Sequence, residues 1–326
     1  MKKLLCSLLS VSSLLAFADG WSWSGKTGAV VIPAGTTADV ADADVVTVAA
    51  LASITVESTA VLNFVNTGTP IVLNSTTLAG AGRIAGTGSK GLSLGADNSG
   101  FTGTMAFENC YVYVTSSNGL GRASGVWHTV TAASGGLTGT LRFRGDGLTC
   151  DVPLTLAGWR NNTGAYLTDS LTDNMVFNKD VTVNGAGMNL GNYTFNAKYI
   201  SNASTSGSVT FGGDTVFNGP INLRGAPSRR TFWLGAGHTA TLCVPGSTWG
   251  DDTSFSSSGT LVCGAAGVLD PDRAMMVCYE NAASTDHNTV LDLNGFDQST
   301  TRIWHYFASS AKSGTGVAAR KGESAG

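Results

Sequence analysis

The sequence predicts an all-β chain folded as one elongated β-solenoid, and three observations predict it. The 326 residues include 43 Gly against 7 Pro, with 13% charged and 42% hydrophobic. That balance favours folding over disorder by charge repulsion, and it leaves little Lys, Glu or Arg for solvated helix faces. Thr, Val, Ser, Gly and Asn recur in short alternating runs, the composition of strands and turns. The runs echo one another at about 20 residues, the period of stacked coils.

The chain opens MKKLLCSLLSVSSLLAFADG, with Lys2 and Lys3, an apolar run from Leu4 to Phe17, and small residues at Ala16 and Ala18 where signal peptidase needs them. Residues 1–18 read as a Sec signal peptide cleaved between Ala18 and Asp19, so the expected location is outside the cell or on its surface. The apolar run is 14 residues broken by serines, short of the roughly 18 to 20 that span a bilayer. No later segment reads as a transmembrane helix. Cys6 precedes most of the run, unlike a lipoprotein signal. Loss of Lys2 and Lys3 takes the net charge from −3 to −5, which does not attract nucleic acid.

Export leaves Cys110, Cys150, Cys243, Cys263 and Cys278. Five thiols cannot all pair, and no spacing is that of a metal knuckle. Buried free thiols are the simplest reading, with pairing left open. Cys243 and Cys263 lie 20 residues apart, one coil, and form the single disulfide candidate.

Residues 19–310 carry the repeats. Strand-like runs are AVVIP at 29–33, DVVTV at 44–48, SITV at 53–56, AVLNFV at 60–65 and PIVLN at 70–74. Three later units share a Phe-Asn step, Phe177-Asn178, Phe195-Asn196 and Phe217-Asn218, spaced 18 and 22 apart. Thr241-Leu242 and Thr260-Leu261 echo each other at 19. Coils of about 20 to 25 residues bury their apolar faces by stacking, giving about 12 to 15 coils and a rod on the order of 60 to 70 Å. A series of β-sandwiches would need hairpins and composition breaks about every hundred residues, which the sequence lacks. Stacking also accounts for the low charge. Like residues overlie one another about every 4.8 Å, where charges repel while Asn, Thr and Ser satisfy each other.

The stretch from Thr77 to Gly121 contains Leu92 and Leu94, then Asn98, Phe101, Thr102, Gly103 and Thr104, and closes on Leu120-Gly121. It resembles the autotransporter-associated beta-strand repeat of bacterial surface proteins, and VLDLNGFDQST at 290–300 resembles a shorter part of the same repeat. The resemblance implies a right-handed parallel β-helix in the passenger of an autotransporter or another large exported protein. Asn98, Phe101, Gly103 and Thr104 are then structural repeat residues, with Phe101 an inward plug at a coil corner and Gly100 and Gly103 letting the backbone turn. The terminal SGTGVAARKGESAG has no translocator barrel, so residues 311–326 are expected to be a disordered or truncated end.

Candidate chemistry is sparse. The acidic groups are Asp39, Asp42 and Asp44, then Asp251 and Asp252, then Asp270 and Asp272. Glycoside cleavage needs carboxylates converging about 5 to 10 Å apart, and the weak candidate is Asp251 and Asp252 with Arg229 and Arg230 about one coil away. His128, His238, His287 and His305 are scattered, with His128 and His305 read as strand positions. Arg144-Gly145-Asp146 offers a receptor-binding turn, followed by Gly147. No cofactor or metal is expected. The expected function is surface display or adhesion without catalysis, with cell-surface glycans or proteins as partners, and a polysaccharide-degrading β-helix enzyme is the alternative.

Overall fold

Strands of a few residues bury too little alone, so each lies in parallel register on the matching strand of the next coil. The computed structural model describes residues 20–87, 91–108, 110–122, 128–131, 140–157, 173–184, 191–201, 208–223, 231–235, 237–249, 253–256, 259–279, 289–300, 302–306 and 319–320. The chain is an elongated β-solenoid with three sides to a coil. Successive coils place Ser53–Val56, Val61–Phe64 and Ile71–Leu73 beneath Thr77–Ala79, Arg83–Thr87 and Leu92–Leu94. One side forms a nine-stranded ladder from Thr37–Val40 to Ile221–Asn222. An eight-stranded ladder runs from Leu148–Cys150 to Ala319–Arg320, and sheets of five, four and three strands complete the sides.

Alternation sends every second side chain into the prism, where columns of like residues fill it. Phe177, Phe195, Phe217, Leu242 and Cys263 overlie one another in register, all buried. The first three rings stack at 5.1 and 5.2 Å with interplanar angles of 9° and 10°. Tyr199 and Phe211 arrive from the other two sides and meet Phe195 edge-on at 5.1 and 6.1 Å. Each buried ring contributes about 1.5–3 kcal/mol from area alone, and an aromatic pair adds roughly 0.5–1.5. The Phe-Asn spacings of 18 and 22 are therefore coil lengths.

Three expectations need correction. The run DVVTV at 44–48 is not a strand: Asp42–Asp44 is a 3-10 turn and Val45–Ala49 an α-helix. Val45 and Val48 are buried while Val46 is 80% exposed, a spacing of three that suits a helix face. The helix lies against Ile71–Leu73 and covers the edge of that sheet. Coil lengths also range more widely than 20 to 25, from 18 between Phe177 and Phe195 to 30 between Thr260 and Val290. The 19-residue echo is not the register. Thr239 pairs with Thr260 and Leu242 with Cys263, an offset of 21 that sets Gly264 at the corner over Cys243.

Candidate functional site

The turn Arg144-Gly145-Asp146 joins Thr140–Phe143 on one side of the coil to Leu148–Cys150 on the next, with all three residues exposed. Gly145 at φ 143° and Gly147 at φ 70° supply the backbone angles of the turn. Its two charges face opposite neighbours. The Arg144 guanidinium carbon lies 3.6 Å from the ring centroid of Tyr113, one coil back. Asp146 Oδ1 accepts from the backbone N–H of Asn174 at 2.8 Å and its side-chain amide at 2.7 Å, one coil forward. These bonds hold the Asp146 carboxyl below its ordinary value. A receptor that reads this tripeptide needs its carboxylate, and here one oxygen is already committed to the fold.

The same commitment recurs along the side that follows. Asn174 accepts from Asn192 at 3.3 Å, Asn192 accepts from the Asp214 N–H at 2.8 Å, and Asp214 accepts from the Thr239 N–H at 2.8 Å. His238 Nδ1 stands 3.4 Å from that Asp214 oxygen. At the far end of the same strands, Asn218 donates to Asn196, Asn196 to Asn178 and Asn178 to Asp151, at 2.8, 2.7 and 2.6 Å. An amide both donates and accepts, so a column of asparagines satisfies itself, and a carboxylate that only accepts can end it. Asn178, Asn196 and Asn218 were visible in the sequence as the residue after each phenylalanine.

The repeat residues are internal. Asn98 is fully buried; its Oδ1 accepts from the Leu78 N–H at 2.7 Å and its Nδ2 donates to the Gly119 carbonyl at 2.8 Å, joining three successive coils. Phe101 is fully buried and bridges in parallel to Gly80. At Gly103 a Cβ would collide with the Gly82 carbonyl oxygen, while Thr104 starts the strand Thr104–Glu108. Gln298, within the second stretch of resemblance, does the work of Asn98. Its Oε1 accepts from Val268 and Leu269 N–H at 2.9 and 3.2 Å, and its Nε2 donates to Ala265 O at 2.7 Å.

Among the described residues the acidic groups do not gather into a cluster of three. Asp42 accepts from the backbone of Gly68 and Thr69, both at 2.9 Å, and of Thr67 at 3.2 Å; Thr69 and Gly68 foremost hold its carboxyl below the ordinary value. Asp39 accepts from Asn63 at 2.8 Å, and Asp44 from the Ala41 N–H at 3.1 Å. Buried Asp270 accepts from Trp249 N–H at 2.7 Å and Asp272 N–H at 3.0 Å. Asp251, Asp252, Arg229 and Arg230 lie outside the described residues, as do Ala18, Asp19, His287 and 311–318 and 321–326. His128 and His305 fall within the strands His128–Thr131 and Arg302–Tyr306.

The Cys243–Cys263 disulfide is not formed: Cys110, Cys150, Cys243 and Cys263 are free. Cys263 points inward over Leu242, whereas Cys243 sits one position further at the corner, so an offset of 21 sets the thiols on different faces. Burial pushes the Cys150 and Cys263 thiols up to about 12.

Sequence reasoning missed one surface, the outward positions of the four-stranded sheet. Val72, Ser93, Tyr113 and Arg142 form one column across Ile71–Leu73, Leu92–Leu94, Tyr111–Val114 and Thr140–Phe143. The patterns YVYV and LRFR, with tyrosines and arginines two apart, are its signal. Among the described residues no cluster of three His, Cys, Asp or Glu could hold a metal, and no helix is long and apolar enough to cross a membrane. No family model, curated protein or solved structure matches the chain.

Proposed function

We propose that the chain is the β-helical passenger or stalk of an exported bacterial surface protein, serving adhesion or surface display without catalysis. The observation that carries this reading is the use made of polar side chains. Asn98, Asp42, Asp146, Asp151 and Gln298 each bond an adjacent coil, which suits a rod that holds surfaces at fixed spacing. Affinity on such a rod comes from many weak contacts in series with glycans or proteins of a neighbouring cell. The autotransporter resemblance of residues 77–121 and the signal-peptide pattern of 1–18 support export through Sec.

The test is expression of the full chain in a bacterial host, with fractionation and N-terminal sequencing. Recovery outside the inner membrane with Asp19 first, together with increased cell-to-cell or cell-to-surface attachment, is the expected result. An intact N-terminus in the cytoplasm would end the reading. Release of reducing or unsaturated sugar ends from polysaccharides by the purified protein would favour the hydrolase or lyase alternative instead.

A further inference from the structure

The outward face of the four-stranded sheet departs from the rest of this acidic chain. Its strands carry Arg142 and no Asp or Glu, and Arg144 follows directly. Alternation sets Arg142 and Arg144 on one face about 6.6 Å apart, and likewise Tyr111 and Tyr113. Parallel register places Tyr113 beside Arg142, and the Arg144 guanidinium lies on the Tyr113 ring at 3.6 Å. Arg144 is exposed, and Tyr111, Tyr113 and Arg142 are half-buried.

We infer that Tyr111, Tyr113, Arg142 and Arg144 form a binding face for a linear polysaccharide bearing carboxylates, a polyuronate. Stacking on Tyr113 fixes the Arg144 plane, so its fork meets a carboxylate with less loss of side-chain freedom. With Arg144 on the Tyr113 ring, Tyr111 two residues before it offers flat apolar surface with a hydroxyl at the rim, the chemistry that suits a pyranose ring better than a flexible acidic peptide. Continuing the column through Ser93 to Val72, which is 49% exposed, lengthens the flat face to about three strand spacings, roughly 14 Å. An extended polymer fits such a face, and a small anion does not need it. This inference names a ligand for the adhesive rod and rests on that reading.

The test is binding of the purified full chain to immobilised polygalacturonate, with its methyl ester, dextran and poly-glutamate as controls. Binding should be confined to polygalacturonate and weaken as salt rises. Arg144→Gln should weaken it about tenfold, the loss of one charge-assisted contact. Arg144→Lys should fall between, and Arg142→Gln with Arg144→Gln should abolish measurable binding. Arg144 is exposed, so its variants keep the fold, and circular dichroism verifies this. Equal binding of the methyl ester or poly-glutamate, or no loss in Arg144→Gln, overturns the inference. Surface attachment that persists in the double variant leaves the adhesive reading standing and removes this face from it. Polygalacturonate binding without any surface attachment does the reverse.

Discussion

The side-chain amide of Asn196 donates to the side-chain Oδ1 of Asn178 at 2.7 Å, one residue beyond the stacked rings of Phe195 and Phe177. Inner aromatic and outer amide columns thus keep the same register, and each resists slippage of the other. Asn196 also accepts from Asn218 at 2.8 Å. Asn196→Ala removes both bonds, with an expected loss of about 1–2 kcal/mol given the exposure of the ladder. Asn196→Asp should cost more, because its carboxylate would face the Asn178 oxygen, acceptor against acceptor. Urea midpoints measured at constant slope decide it, and no change in Asn196→Ala would make the ladder energetically idle.

Asn98 presents the buried form of the same device. Asn98→Ala leaves the Leu78 N–H and the Gly119 carbonyl without its amide inside the solenoid. The expected loss is about 2–4 kcal/mol, from two buried groups at roughly 1–3 each in imperfect isolation. A deficit no larger than that of Asn196→Ala would show that water replaces the amide there.

Phe101 and the Phe-Asn units made the solenoid legible, because an inward ring followed by an outward amide recurs over three successive coils, at Phe177-Asn178, Phe195-Asn196 and Phe217-Asn218. What escaped was whatever depends on the corners. Asp42 is exposed, as an acidic turn residue is expected to be, but nothing local to it reports that it gathers three N–H groups of a loop about 25 residues later. Val45 and Val48 read as strand residues because their β-branching suits one, but at the first coil the third side is a helix against a sheet edge. Cys243 illustrates the same limit: a 20-residue spacing suggests contact, and a one-residue difference in register turns the thiol to another face. Tyr113 and Arg142 are neighbours only through strand pairing across 29 residues, a distance that no local pattern reports.

Acid should loosen the N-terminal coils. Asp42 is held below its ordinary value of 3.8 by backbone hydrogen bonds from Thr69 and Gly68. A carboxyl with a depressed folded value stabilises fully above its unfolded value, and that contribution is lost as pH falls through the folded one. Stability should therefore be flat from neutral pH down toward about 5 and decline below about 4. Asp97 and Asp146 are lowered as well, and they add in the same direction. Asp42→Asn should flatten part of this acid limb, seen as a smaller difference between urea midpoints at pH 7 and pH 3. An identical difference in variant and parent removes Asp42 from the account.

Gly103 and Gly100 flank Phe101 but face different surroundings. A Cβ on Gly103 would enter the Gly82 carbonyl of the coil below, whereas one on Gly100 would come to 3.3 Å from the Ala79 Cβ. Gly103→Ala must spread two coils and should cost about 3 kcal/mol or more, the upper range for overpacking. Gly100→Ala needs a shift of a few tenths of an ångström and should stay within about 1 kcal/mol. Thermal or urea unfolding of the pair separates them, and equal effects would place the close coil contact elsewhere.

The thiols should be silent until the fold opens. Cys150 and Cys263 are buried, and burial pushes both up to about 12, with the carboxylates of Asp151 and Asp292 adding to the rise. The Cys150 thiol also donates to Val152 O at 3.4 Å. Thiolate is the nucleophile, so at pH 8 these two residues present almost none of it and have no solvent path. Native protein treated with a maleimide should leave Cys150 and Cys263 unmodified by peptide mass analysis. Denaturation without reductant should expose Cys110, Cys150, Cys243 and Cys263 together, since none is paired. Cys243 at its corner is half-buried, and burial raises it too, so its labelling should be slow but faster than that of Cys263. Rapid native labelling of Cys263 would place that residue outside the column it shares with Leu242 and Phe217.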